Sequence, residues 1–247
     1  MSSATLEHNA STFRWDLRDL HSAITSRGMA SRSPLGWSLR DVELRRRRPW
    51  LTTGYLLVLL TSTVLLRHLP TADARQLLAG SSTDVQHLTT TPVRVLLTSA
   101  LWLPDARWLP YAVTFALFMA PLERRVGILR VALVFLSGHV LATLLTELPI
   151  AGGIALGWWP AAAAVRLDVG VSYGMYAVIA ASAGLLLPRL RWTLNVGLLT
   201  WMLSALLLDT DMTAVGHVLS VLIGLGWQPM VQRRLRFPAA AQATVAH

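Results

Sequence analysis

The sequence predicts an all-α, polytopic membrane protein built as a bundle of six transmembrane helices. Three observations lead to this fold class. Hydrophobic residues make up 53% of the 247 positions and charged residues only 14%, whereas soluble globular proteins carry about 25% charged residues. The apolar residues fall into long runs separated by short polar segments, which is typical of polytopic membrane proteins. The arginines cluster in alternate connecting segments, as topology signals do.

The composition also excludes several classes of function. Cysteine is absent, which excludes disulfide scaffolds, thiol catalysis, zinc–thiolate sites and iron–sulfur clusters. The His, Asp and Glu residues show no metal-ligand spacing, and no glycine-rich phosphate loop occurs. We therefore expect no metal and no cofactor. The net charge of +9 does not indicate nucleic-acid binding, because the arginines flank apolar runs.

Six apolar runs are predicted to span the membrane. The first, residues 49–68, supplies about 20 residues to the hydrocarbon, the length that a helix needs. The others are expected at residues 108–122, 126–146, 170–187, 190–208 and 213–228. Polar, Arg-rich residues 1–48 predict a flexible cytoplasmic tail, and residues 229–247 predict a short cytoplasmic tail after the membrane domain at 49–228.

Two further apolar segments are expected not to span. Residues 92–104 are short, contain Arg94 and are closed by prolines, which suits an interfacial or half-buried first loop. Residues 148–165 contain two prolines and the pair Trp158–Trp159. Tryptophan favours the headgroup level of the bilayer, so this segment predicts an interfacial excursion.

The arginine distribution sets the orientation. With six spans and a cytoplasmic amino terminus, the arginine clusters all lie inside, at positions 45–48, 124–130, 189–191 and 233–236. This arrangement obeys the positive-inside rule. A seventh span at 148–165 would move the third cluster outside and the acidic loop 209–211 inside, so we reject it. The expected location is the inner membrane of a bacterium, with both termini in the cytoplasm.

Two polar residues are expected at similar depth in parallel spans. Ser172 lies near the start of the fourth span and His217 about five residues into the sixth, so both fall within about two turns of the outer interface. A serine hydroxyl facing an imidazole is a nucleophile with its general base. Small residues four positions apart let two helices approach closely in lipid. They are Gly170 and Gly174 in the fourth span and Gly216, Ser220 and Gly224 in the sixth.

The same residues also have a purely structural interpretation. Serine in a membrane helix commonly bonds a backbone carbonyl, and small residues four apart commonly serve packing alone. An ionisable residue such as His217 inside a span is rarer and marks function by default. Spacing alone leaves the catalytic and the structural interpretations open.

At these residues the sequence resembles the rhomboid family of intramembrane serine proteases, over residues 50–228. The family has a G-x-S-G motif with a following aromatic residue on its fourth helix and H-x-x-G-x-x-x-G on its sixth. A Glu-Arg pair before a glycine ends its second helix, and a Trp-Arg motif marks its membrane-embedded first loop. The matching residues are Gly170, Ser172 and Tyr176; His217, Ser220 (at the first glycine) and Gly224; Glu123, Arg124 and Gly127; and Arg94.

The resemblance implies specific roles. Ser172 would attack the scissile carbonyl, and His217 would accept its proton and pass it to the leaving amine. Tyr176 would stack on the imidazole and orient it, the role of the aspartate in soluble triads. Transmembrane-helix substrates would enter sideways from the lipid bilayer near the fifth span, and no nucleic acid is implied.

Two departures from the family pattern bear on the proposed chemistry. Where the family has a His and an Asn that help to hold the oxyanion, this chain has Trp108 and Ala112. Loss of one such donor costs about 10²–10³ in rate. The residue after the serine is Tyr173 instead of glycine. Its hydroxyl could replace a lost donor, or its ring could block the site, and both options stay open.

The remaining polar residues predict structural roles. His139 in the third span is expected to pack or to hydrogen-bond another helix. Asp168 is expected to cap the fourth helix. Glu123 and Arg94 are expected to brace the fold.

Three classes of function compete. An intramembrane serine protease that cleaves transmembrane helices near the outer face is favoured by Ser172, His217 and Tyr176. The alternative, a pseudoprotease that binds membrane-protein helices, is favoured by the missing Asn and by Tyr173. A small transporter is least favoured, because its site would need polar residues at mid-membrane.

Overall fold

The computed structural model describes residues 47–208 and 211–236, and every regular element within them is helical. The expected tail at 1–48 lies almost wholly outside the described residues, as do residues 237–247. Short 3₁₀ turns lie at Ser99–Leu101, Ala161–Ala164 and Ala183–Leu185. The α-helices, numbered in chain order, are α1 Trp50–His68, α2 Thr71–Ala79, α3 Val85–Thr90, α4 Pro92–Thr98, α5 Trp108–Val126, α6 Ile128–Ala155, α7 Ser172–Ser182, α8 Pro188–Leu208 and α9 Met212–Arg236.

Four of the described helices are long and apolar enough to cross a membrane: α1, α6, α8 and α9. An all-helical fold of membrane type is therefore confirmed, while the count of six spans stays a prediction. The second and fourth expected spans correspond to α5 and α7. Charged residues Glu123, Arg124 and Arg125 occupy the last turns of α5, and α7 has only 11 residues before its 3₁₀ turn.

Two helices extend beyond the ends expected from the sequence. Helix α6 passes through Pro149 and ends at Ala155, because buried Ile150 continues its packed face. The first part of the segment 148–165, expected as an interfacial excursion, is therefore helix up to Ala155. Helix α9 continues through Pro229 to Arg236, where fully buried Val231 packs against the backbone of the 3₁₀ turn after α7. The tail expected from residue 229 thus begins as helix.

An aromatic cluster joins the first half of the bundle. Tyr55 of α1 meets Phe115 of α5 and Phe135 of α6 edge-on, with ring centroids 5.5 and 5.1 Å apart. Edge-to-face pairs stabilise a core beyond the area that they bury. The Tyr55 hydroxyl also donates to the carbonyl of Ala100, at 2.6 Å. The 3₁₀ turn after α4 is thereby fixed to α1.

Helix α7 lies tightly between α6 and α9. A Cβ added at Gly138 of α6 would stand 2.2 Å from the Ala177 Cβ, and one added at Gly224 of α9 would stand 2.3 Å from the Ala177 carbonyl oxygen. Gly174 faces the Phe135 ring at similarly short range. On α9 the expected close approach to α7 is observed at Gly216 and Gly224. The expected α7 side is wrong, because Gly174 faces Phe135 of α6 and Gly170 precedes the helix.

Helix α8 is the most loosely held of the long helices. Only Asn195 and Met202 are buried along it. The Asn195 amide exchanges hydrogen bonds with Gln228 of α9, at 2.9 and 3.4 Å, and Gln228 also donates to the Ala180 carbonyl of α7 at 2.7 Å. This amide pair is the main polar tie between α8 and the rest of the bundle.

Candidate active site

Ser172 and His217 meet at one end of the α7–α9 pair. Ser172 is the first residue of α7, and His217 lies in the second turn of α9. Their Oγ and Nε2 atoms are 3.0 Å apart, and both residues are half-buried. With Nε2 unprotonated, the imidazole can accept the hydroxyl proton. A serine nucleophile and its general base need a contact of this length.

The chain enters α7 through a glycine whose backbone conformation other residues rarely adopt. Gly170 has φ +138°, and its N–H donates to the Ser99 carbonyl at 3.1 Å. The first bond into α7 runs from the Met175 N–H to the Val171 carbonyl. The amides of Ser172 and Tyr173 therefore have no acceptor within the helix, as is general for the first helical residues.

Two tyrosine rings contact the imidazole, both edge-on. Tyr176 lies 4.8 Å from His217 between ring centroids, at an interplanar angle of 66°. Tyr173 lies 5.5 Å away at 76°. Tyr176, expected to stack on the imidazole, contacts it with an edge instead, an arrangement that also suits aromatic rings.

The ring of Tyr173 fills the interface between α7 and α9. It is 3% exposed, and a Cβ at Gly216 would stand 2.4 Å from its Cζ atom. Its hydroxyl donates to Oδ2 of Asp168, at 3.4 Å. Of the two options for Tyr173, the first needs a free hydroxyl, and this hydroxyl is bonded to Asp168.

Asp168 does not cap α7, contrary to the expectation. The capping position is Val171, which makes no side-chain cap bond, because the chain turns at Gly170 before the helix begins. Asp168 instead pairs with residues before α3: its N–H donates to Ser82 Oγ at 3.0 Å, and its carbonyl accepts from the Thr83 N–H at 2.9 Å. Burial raises the pKa of Asp168, and the guanidinium of Arg166 offsets part of that rise.

Arg166 joins three parts of the same end of the bundle. It forms an ion pair with buried Glu147 of α6 and lies 3.5 Å from the Asp211 carboxylate just before α9. The loop that leads to Ser172 is thereby fixed to α6 and to the start of the helix that carries His217. Sequence reasoning missed these ion pairs and the Asp168–Tyr173 contact. The only signal was the grouping of charged residues in loops that precede α7 and α9.

The positions expected to hold an oxyanion carry no free side-chain donor. The Trp108 indole N–H donates to the Leu56 carbonyl at 3.0 Å, and Ala112 is a buried apolar residue. Neither of these two positions therefore offers a side-chain donor to an oxyanion.

The remaining motif residues fix the helices. Ser220 Oγ donates to the Tyr173 carbonyl, which ties α9 to the first turn of α7. Glu123 of α5 accepts from the N–H groups of Leu51 and Thr52, both at 2.8 Å. Since Pro49 provides no side-chain cap for α1, the Glu123 carboxylate serves as that cap.

Three other polar residues fall outside the Ser172–His217 contact. His139 Nε2 lies 3.1 Å from Ser99 Oγ and 3.0 Å from the Leu96 carbonyl oxygen, so its expected role in interhelical hydrogen bonding is confirmed. Arg94 is exposed on α4, and no described residue hydrogen-bonds its guanidinium. The structure therefore shows no contact through which Arg94 would brace the fold. Arg124 has a buried Nε without a partner among the described residues.

Within the described parts of the chain, no three His, Asp or Glu side chains lie close enough together to hold a metal ion.

A family model described as rhomboid-like protein matches residues 46–237, which is most of the chain. No curated protein sequence and no solved structure shows a significant match.

Proposed function

Because the chain belongs to the rhomboid-like protein family, we propose that it is an intramembrane serine endopeptidase that cleaves transmembrane helices near the outer face of the membrane. The observation that carries this proposal is the 3.0 Å separation of Ser172 Oγ and His217 Nε2. A binding scaffold has no need of a hydroxyl paired with an imidazole. In a family that contains intramembrane proteases, this pair supports acyl transfer.

The proposed reaction uses one proton in two steps. His217 Nε2 accepts the hydroxyl proton as Ser172 Oγ attacks the scissile carbonyl, and then donates that proton to the nitrogen of the leaving amine. A water molecule, activated by the same imidazole, releases the acyl group and restores the serine. The Tyr176 and Tyr173 rings restrain the imidazole between these steps.

The proposed oxyanion donors are backbone amides. The N–H of Ser172 stands at the positive end of α7, where helix amides lack internal acceptors and favour negative charge. With Trp108 engaged by Leu56 and Ala112 apolar, no side chain at these two positions adds a donor. We therefore expect catalysis to be slower by about 10²–10³ than with a side-chain donor present.

The proposed arrangement in the membrane has six spans, with α5 and α7 as the second and fourth. Both termini lie in the cytoplasm of a bacterium and the Ser172–His217 end faces outward, as the arginine clusters indicate. A substrate helix enters beside α8. Only Asn195 and Met202 are buried along α8, so α8 can move with little loss of packing.

A second candidate is a pseudoprotease that binds membrane helices without cleaving them. The observation that favours it is the absence of a free side-chain donor at Trp108 and Ala112. In that case Ser172 and His217 would serve only to join α7 to α9.

The test is cleavage of a reporter transmembrane helix in proteoliposomes. We expect slow cleavage by the wild-type chain, and none by Ser172→Ala or His217→Ala. The matched control is Ser182→Ala, at the opposite end of α7, where the hydroxyl only donates to the Ile179 carbonyl; it should cleave as wild type does. Binding of the reporter, with equally little cleavage by all four proteins, would favour the pseudoprotease.

A further inference from the structure

The residue directly after the serine contacts the imidazole as well. The Tyr173 ring meets His217 at 5.5 Å between centroids and 76° between planes. It passes beside Gly216, the residue before His217 in the chain, with no space for a side chain there. Tyr173 therefore touches both the imidazole and the backbone that carries it.

The far end of this ring is held by a buried carboxylate. The Tyr173 hydroxyl donates to Asp168 Oδ2 at 3.4 Å, and Thr83 Oγ1 lies 3.3 Å from the same oxygen. The backbone of Asp168 bonds Ser82 and Thr83 at 2.9–3.0 Å. Asp168 is therefore held from the segment before α3, outside both α7 and α9.

His217 has few other restraints. Within the described residues its ring hydrogen-bonds only Ser172, and no carboxylate bonds the imidazole directly. A base without such a partner needs another means of keeping its orientation. The rings of Tyr176 and Tyr173 are the groups that supply it, and of the two only Tyr173 has a hydroxyl bonded to a charged residue.

We infer that Asp168 and Tyr173 form a positioning arm for His217: the carboxylate fixes the Tyr173 ring, and the ring edge keeps the imidazole where Nε2 meets Ser172 Oγ. The arm rests on the proposed function, because it serves the same dyad. Tyr173 and Asp168 are positioning residues that act through His217. The carboxylate acts here through an intervening ring, where soluble triads use a direct bond.

The first test measures how fast a fluorophosphonate probe labels Ser172 in the full chain purified in detergent. Tyr173→Phe and Asp168→Ala should each lower the second-order labelling rate about fivefold, the effect of one lost hydrogen bond. The double variant should fall no further, because both changes break the same link. The matched control is Tyr55→Phe, which removes a buried hydroxyl bonded to Ala100 far from the dyad in sequence and should label as wild type does.

Two outcomes overturn the arm. One is a labelling rate in Tyr173→Phe equal to that of the wild type. The other is a double variant whose loss equals the product of the two single losses, since independent effects multiply. If Asp168→Ala does not fold, Tyr173→Phe against Tyr55→Phe decides the question alone.

A second measurement separates this inference from the proposed function. The ring-proton NMR signals of His217 are recorded in isotope-labelled Ser172→Ala protein, which has no nucleophile. We expect Tyr173→Phe to shift these signals and Tyr55→Phe to leave them in place. A wild-type chain that never reacts with the probe, with the shift present, refutes the protease and keeps the arm. Unshifted signals refute the arm whatever the probe does.

Discussion

The orientation of one imidazole decides whether this chain can do acyl transfer. Among the described residues His217 has Ser172 on Nε2 and two aromatic edges around its ring. Aromatic pairs of this kind contribute about 0.5–1.5 kcal/mol each, less than a buried charged hydrogen bond. The imidazole is thus held by several weak contacts in place of one strong one.

The edge contact between Tyr176 and His217 can be tested by two substitutions. Tyr176→Phe keeps the ring beside His217, so the probe-labelling rate of Ser172 should change less than about twofold. Tyr176→Ala removes the edge contact, and the rate should fall by up to about tenfold, the equivalent of about 1.4 kcal/mol. Equal rates in the two variants would mean that this ring does not orient the imidazole.

Glycine placement sets the distance between the helices that carry Ser172 and His217. On α9, a Cβ at Gly224 would collide with the Ala177 backbone, whereas Gly226 has open space around it. The two glycines lie two positions apart in one helix and therefore face different sides. They form a matched pair for testing the α7–α9 contact.

Gly224→Ala should separate α9 from α7 and abolish both reporter cleavage and labelling of Ser172. Gly226→Ala should keep both and raise stability by about 0.5–1 kcal/mol, because alanine is the better helix former. The measurements are labelling rate and thermal melting of each variant. A Gly224→Ala protein that labels at the wild-type rate would show that the dyad does not depend on this close approach.

The cap of α1 by a residue of α5 is a second property of the elements. Glu123→Ala leaves the amides of Leu51 and Thr52 without their acceptor, and should lower the free energy of unfolding by about 2–3 kcal/mol. The control is Asp105→Ala, an exposed carboxylate whose loss should have little effect. Equal melting temperatures for the two variants would contradict a capping role.

The orientation of the whole molecule in the membrane can be tested by labelling its loops from one side. Because the chain contains no cysteine, a single introduced cysteine reports its own position. A membrane-impermeant maleimide should label Asp105→Cys in intact cells and Arg189→Cys only after permeabilisation. Labelling of Arg189→Cys in intact cells would contradict the proposed outward-facing site.

The sequence predicts much of this molecule, for physical reasons. Apolar runs of span length located all the long helices, because the bilayer fixes that length. Ser172 and His217 could be expected together, since small residues at fourth positions predict close helices. The end of α6 at Ala155 could not, because the helix continues through Pro149, a residue that commonly ends a helix. The partner of Asp168 depends likewise on a residue almost ninety positions away, which local patterns do not report.

The proposed function depends on Ser172 being a nucleophile that His217 activates. The most direct measurement is to treat the purified chain with a fluorophosphonate and to locate the adduct by mass spectrometry. We expect an adduct on Ser172 that disappears in His217→Ala, while the Ser182→Ala protein reacts as wild type does. An unmodified Ser172, or an adduct that persists without His217, would contradict it.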